Sequence, residues 1–444
     1  MELPAMADPA FRSVRGRVLT FLAPPQGAGD EASYRYFVDG LVVVRDGRIA
    51  AVGEAAPLLA TLPPGTPVDH YPDALILPGF IDPHIHFPQT QVIASYGTQL
   101  LEWLEKYTFV EEQRFADPAH AAEQAVFFFD ELARNGTTTA LAFCSVHPVS
   151  VDAYFAEAER RGMGMLGGKV MMDRNAPPAL TDTAQRGYDE TKALIVRWHG
   201  RGRQRVAITP RFAITSTAGQ LAAAGALRRE HPDLLVQTHL SENCAEIETV
   251  RRLFPEADGY LDVYDRFGLT GERSLFGHCI HLTEAERRRM AETGSVAVFC
   301  PTSNLFIGSG LFDMRKAVSE TPAMRVAVAT DVGGGTSFSM LRTLAEGYKV
   351  QQLLGYNWSA LEAFYLATAG NAAALGLAGE IGTLEPGAFA DLVVLDARAT
   401  PVMANRMARI DGDLEAELFV LMTLGDDRAV RATYAAGRLV HARS

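Results

Sequence analysis

At 444 residues the chain is too long for one small core and fits one large domain beside a smaller one. Hydrophobic residues make up 48% and charged residues 21%, an ordinary balance for a soluble globular protein, and no apolar run approaches the roughly 18 residues of a membrane helix. A net charge of −12 argues against nucleic acid as a partner, and the basic clusters "RGRQR" (201–205) and "RRR" (287–289) read as solvated faces.

The opening stretch, "MELPAMADPAFRSVRGRVLTFLAPPQG", carries Glu2 and Asp8 early and lacks a basic start followed by an apolar core. It is therefore not expected to be a secretory signal. Residues 16–77 then hold short strands and turns, "GRVLTFLAPP" and "YRYFVDGLVVVRDGRIAAVG". From residue 74 onward, apolar β-rich runs alternate with helical patterns, the signature of parallel βα units. Eight such runs are expected: 74–86, 137–147, 163–173, 206–215, 234–242, 274–282, 296–304 and 325–335. The segment 118–136 reads as a helix, with Asp117-Pro118 as its start and Asn135-Gly136 as its stop. Eight units of this size fit a (β/α)8 TIM barrel, although periodicity alone leaves an open doubly wound sheet as an alternative.

After two helices near 338–376, "GTLEPGAFADLVVLDARA" and "RAVRATYAAGRLVHA" are again strand-like. The arrangement expected is a small β-sandwich-like domain built from both chain ends (1–75 and 381–444) flanking a barrel of 76–380. The four cysteines, Cys144, Cys244, Cys279 and Cys300, form no CxxC pair. They read as reduced thiols of a cytoplasmic protein, with Cys144 and Cys279 as buried packing residues.

The chemistry gathers at predicted strand ends. Side chains at i and i+2 share one face of a strand, so His84 and His86 of "PGFIDPHIHFPQ" project together while Ile85 points away. At the C-terminal end of a barrel strand that shared face is the mouth where active sites are built. Alone, the pair is weak evidence for a metal and reads more readily as two hydrogen-bonded strand-end histidines. Three further strand ends add weight: "VQTHLSEN" with His239 and Glu242, "FGHCIH" with His278, and "VATDVGGG" with Asp331. Four of the eleven histidines thus fall at predicted mouth positions, although His147 also ends a strand, so position alone does not define a ligand. Two strand-one imidazoles, a third imidazole and a carboxylate suit a borderline divalent ion such as zinc. The helical HExxH motif is absent, as is the H-x-E with P-C-x-x-C pattern of cytidine-type deaminases.

These motifs resemble the amidohydrolase superfamily: "PGFIDPHIH", "THLSE", "GHC", "TD" and the closing "GTLEPGAFADLVVLD". Within it, the chain resembles the guanine deaminase family. The more specific stretches are "DPHIHFPQ", "LLEWLEKYTFVEEQRF", "ITPRFAITST", "THLSEN", "YLDVYDRFGLTGERSLFGHCIHL", "CPTSNLFIGSGLFD" and "TDVGGGTSFSML". The resemblance implies one zinc per chain held by His84, His86, His239 and Asp331. It implies guanine as substrate, contacted by Gln89, Arg211, Phe212, His86, Glu242 and Asp331, and it implies a homodimer. Hydrolysis at C2 would release ammonia and give xanthine, with Glu242 as proton shuttle, Asp331 taking a proton from the attacking water and His278 orienting it.

Each contact also has a plain structural reading. Arg211 reads alternatively as a rim salt-bridge partner, Phe212 as core, Gln89 as a loop residue and Glu242 as an exposed acid. The aromatic-rich segment 87–117 is longer than a usual βα loop and is expected to be partly helical, a wall or lid over the purine.

Overall fold

The computed structural model describes residues 11–97, 99–410 and 412–443; residues 1–10, with Glu2 and Asp8, lie outside them. In chain order, β1 (Phe11–Phe21), β2 (Tyr34–Arg45), β3 (Arg48–Glu54) and β4 (Val68–Pro78) come first. The barrel strands follow: β5 (Phe80–His86), β6 (Thr137–Phe143), β7 (Leu166–Gly168), β8 (Val170–Met171), β9 (Arg205–Pro210), β10 (Leu235–Leu240), β11 (Ser274–His278), β12 (Val296–Phe299) and β13 (Arg325–Val328). The chain closes with β14 (Leu392–Leu395), β15 (Val430–Ala435) and β16 (Arg438–Ala442).

Parallel pairing runs β5-β6-β7-β9-β10-β11-β12-β13, with β8 continuing the third position against β9. This is the (β/α)8 barrel. Its interior is apolar toward the N-terminal ends of the strands, where Ile81, Leu141, Leu166, Ala207, Leu235 and Leu275 pack with Leu375, Leu377 and Ile381. A separate seven-stranded sheet, ordered β16-β15-β14-β4-β1-β2-β3, joins the two chain ends; β1 and β4 are its parallel pair.

The sequence run 74–86 proves to be two strands in two sheets. Up to Pro78 it pairs with β14, and from Phe80 it pairs with β6. The switch falls at Gly79, where a Cβ would collide with the Thr138 side chain, so only glycine permits the approach. The helix expected at 118–136 spans Pro118–Arg134, and the Asp117 carboxylate caps it by accepting from Ala119 N. Two helices went unread in the C-terminal segment. One of them, Leu414–Leu424, packs against helix Met340–Leu353 and uses Glu417 to bind Arg17 of β1. Among the described residues no helix is long and apolar enough to cross a membrane.

Candidate active site and metal centre

The sequence positions the first two imidazoles through a bulge. Between Asp82 and Ile85, three steps of β5 pass two of β6, and a one-residue slip exchanges the faces beyond it. Ile81 therefore faces the barrel interior, and beyond Pro83 it is His84 and His86 that converge at the mouth. Ile85 packs instead with the cluster containing the helix residues Phe128 and Phe129. The eighth strand is shorter than expected, ending at Val328. The chain then leaves the ladder and bonds back to the first strand: Asp331 N donates to His84 O (3.0 Å) and His86 N to Val332 O (2.7 Å). Asp331 itself sits at φ 51°, and His278 and Cys279 at φ 71° and 53°. Non-glycine residues pay for such a left-handed backbone, and they concentrate where function fixes a side chain.

Four side chains meet at one point. The donor atoms of His84, His86, His239 and Asp331 all lie within 4.8 Å of one another. His86 Nε2 is 3.2 Å from both His239 Nε2 and Asp331 Oδ1, and His84 Nε2 is 3.3 Å from the same oxygen. Bonds of about 2.0–2.1 Å to one central ion would hold tetrahedral donors about 3.4 Å apart, so the spacing fits zinc. Protonation fits as well. His239 Nδ1 donates to Arg211 O (2.7 Å), leaving the Nε2 lone pair directed at the cluster. Buried His84 Nε2 makes no hydrogen bond, a costly state unless a cation accepts its lone pair. Burial pushes His86 down to about 4 and His239 well below the usual histidine range, so both are neutral imidazoles at pH 7. Burial pushes the Asp331 carboxyl up, but contacts with His84 and His86 outweigh it and hold the group well below its usual range.

Beside the cluster lies a proton-bearing acid. Glu242 is buried, and burial first, then Asp331, pushes it up to about 8 against a hydrogen bond from Ser309 (2.8 Å). Its backbone N–H donates to Glu246, whose carboxylate completes the capping box with the N-cap Asn243 of helix Cys244–Leu253. His278 Nε2 stands 3.3 Å from Glu242 Oε2 and 3.8 Å from Asp331 Oδ2, and its Nδ1 donates to Asn304 (2.9 Å). An imidazole thus sits between the two carboxyl groups.

One cavity touches His86, His239, Asp331, Glu242 and His278, while His84 lies outside its lining. Its lining includes His86, Gln89, Arg211, Phe212, His239, Glu242, His278 and Asp331, with Leu100, Trp103 and Leu104 as an opposite wall. Those last three come from the segment 87–117, which is partly helical as expected. The cavity is partly open and has a volume of about 30 Å³, enough for a water or two and less than a purine fills. Arg211 and Phe212 lie just past the end of β9, and both are buried. The Phe212 ring is 6.3 Å from that of His239. Arg211 does form a salt bridge, but a buried one: Nη1 reaches both Glu112 oxygens at 2.8 Å. Of the remaining histidines, His147 and His281 lie outside the cluster and the cavity lining.

Several contributors escaped the sequence reading. Gly277 leaves room for the His84 ring, since a Cβ there would stand 3.0 Å from His84 Nδ1. Asp82, pushed up to about 7 by burial, accepts from His84 N and from Thr330 N and Oγ1. Glu112, Asn304 and Ser309 hold Arg211, His278 and Glu242 respectively. All sit inside motifs already quoted, yet only pairings across the barrel reveal them.

Comparison with known proteins agrees with this geometry. The Amidohydrolase family matches residues 75–440. The chain is 49% identical over 439 residues to guanine deaminase of Escherichia coli (strain K12), covering 98% of each. The solved E. coli guanine deaminase superposes with a TM-score of 0.94 at 47% identity, covering 98% of this chain and 100% of that one. A guanine deaminase from C. acetobutylicum with bound guanine in its active site superposes with a TM-score of 0.85 at 29% identity, covering 97% and 100%.

Proposed function

This chain belongs to the amidohydrolase family, and from that premise we propose that it is a zinc-dependent guanine deaminase, converting guanine and water to xanthine and ammonia. The observation that carries the reading is one cavity lined by metal-ligand candidates, a buried acid and a donor–acceptor pair suited to a purine edge. His84, His86, His239 and Asp331 would hold the ion. When bound, zinc supplies Lewis-acid activation that brings the pKa of water to near ~7.

The chain's own groups do the rest. A water oxygen adds to C2, N3 gains a proton, and the C2 amine leaves as ammonia after a further proton reaches it. Asp331 turns Oδ1 to His84 and His86 and Oδ2 toward His278, so one oxygen is left to take the proton of the attacking water. Glu242, pushed up to about 8, carries the proton that N3 needs and can relay the next to the amine. His278 orients the water between the two carboxyl groups. Arg211 offers donors to O6, and the Gln89 carbonyl accepts from N1–H; Phe212 closes the side of the pocket.

A purine exceeds the volume of the partly open cavity, and in this reading the Leu100–Trp103–Leu104 wall moves aside on entry and then closes to exclude water. Proteolytic nicking in 87–117 that left guanine turnover intact would refute that role. We also propose a cytoplasmic homodimer; sedimentation at micromolar concentration checks the assembly, and cell fractionation the location. The function itself is tested by metal analysis together with absorbance assays on guanine and a panel of purines, pterins and triazines. About one zinc per chain and turnover confined to guanine is the expected result. Preferred turnover of a pterin or triazine would move the chain to another activity on the same scaffold. Metal-free, inactive protein would sink both.

A further inference from the structure

Glu112 is almost fully buried on the short helix Phe109–Glu112, and it lies behind Gln89 and Arg211 rather than in the cavity lining. Its Oε1 accepts from Gln89 Nε2 (2.9 Å) and from Arg211 Nη1 (2.8 Å), and its Oε2 accepts from the same Nη1 (2.8 Å). Its main-chain oxygen accepts from Ser145 Oγ (3.0 Å), which anchors the turn to the end of the second barrel strand. The Phe109 ring, 5.5 Å from the guanidinium carbon, supports Arg211 from the side.

We propose that Glu112 is the positioning residue that sets purine specificity, locking Gln89 and Arg211 into one array that fits a 6-oxo purine edge and rejects a 6-amino one. The inference rests on the function proposed above. An ionised carboxylate only accepts hydrogen bonds, so the end of the Gln89 amide facing Glu112 is its NH2 group. The amide carbonyl is thereby left for the cavity, where it needs a donor. Arg211 has only donors, and those not held by Glu112 need an acceptor. Guanine offers both side by side, N1–H as donor and O6 as acceptor. In 2,6-diaminopurine the same two positions are a bare N1 and an amino group, so the pattern is reversed at each. A flexible glutamine would turn its amide and accommodate the change. One held by Glu112 leaves buried polar groups unpaired against the wrong base, the condition that yields strong discrimination.

Guanine and 2,6-diaminopurine both carry the C2 amine, so the two report recognition with the reaction held constant. For wild type and Glu112→Gln, kcat and KM on both bases, zinc per chain and Tm are to be measured. A glutamine at 112 can present its own carbonyl or its NH2, which frees Gln89 to turn. The expected result is a tenfold or greater fall in guanine preference, carried mainly by KM, with zinc content unchanged. Rates that fall in parallel on both bases, leaving the preference intact, would mean that Glu112 merely supports the fold, and the proposal would be overturned. Should Glu112→Gln fail to fold, Gln89→Met removes the amide and leaves the Glu112–Arg211 pair. It should lose the same preference, and an unchanged preference again overturns the proposal. The two readings fail separately: wild type inactive on guanine removes the proposed function and this inference with it, whereas active wild type with an insensitive ratio removes only the role of Glu112.

Discussion

The first and last barrel strands meet twice, and the two meetings are built on opposite principles. Toward the bottom, the Asn371 side chain bridges the seam: Nδ2 donates to Ile81 O (2.7 Å) and Val328 O (2.8 Å), and Oδ1 accepts from Val328 N (3.1 Å). Both amide hydrogens and the amide oxygen are engaged across the strands, and apolar side chains seal the surroundings. At the mouth the same strands join through His84 O and Val332 O, with Asp331 in a left-handed backbone conformation. There His84 Nε2 and His86 Nδ1 are buried without hydrogen bonds, and two carboxyl groups stand on either side of His278. At the bottom the Asn371 amide is committed to closing the barrel, whereas at the mouth His84 Nε2 is left without a hydrogen bond beside the other three candidate ligands. A barrel can sustain the second arrangement because the first supplies its stability.

The largest effect that would separate the two ends is His239→Ala. It should abolish zinc binding and reduce turnover below detection while the chain still folds, read by metal analysis and circular dichroism. Retention of one zinc per chain would break the comparison. Next comes Glu242→Gln, expected to keep zinc and lower kcat by about 10²–10⁴-fold. The wild-type pH profile should show the same acid: raised mainly by burial to about 8, it keeps its proton at neutral pH and surrenders it as pH rises through that value. Turnover should therefore fall on the alkaline side, and a flat profile from pH 7 to about 9.5 would count against a protonated Glu242. The smallest effect on chemistry should come from Asn371→Ala. Stranding buried backbone groups at the bottom seam should cost about 2–4 kcal/mol of stability, read as a lower Tm, with kcat and zinc stoichiometry of the folded fraction unchanged. A large loss of kcat there would show that the two ends are not separable.

How far the sequence carried the reading depends on the range of the interaction. His84 and His86 were legible as a pair because strand periodicity is local, and Asp117 was legible as a cap for the same reason. Glu242 was legible through its place three residues after His239. Illegible were the bulge at Pro83 that sets the phase of β5, the division of 74–86 between two sheets, and the early end of the eighth strand. So were the helices in 401–424, whose apolar faces are explained only by what they cover. Gly277 reads as a small residue in "GHC" until His84, far away in sequence, is seen to need its space.

The sequence by itself determined the eight βα units, the pairing of both chain ends in a second sheet, and the residues able to ligate a metal or move a proton, because alternation, capping and motif spacing are written into consecutive residues. Closure of the eight strands into a barrel was decided by the tertiary structure. Tertiary structure alone decided that four donors from three strand ends share one oxygen-and-nitrogen cluster, that burial keeps a proton on Glu242, and that Glu112 stands behind both Gln89 and Arg211. Distances across the barrel and the loss of solvent set those outcomes, and neither is encoded in any stretch of chain short enough to be read alone.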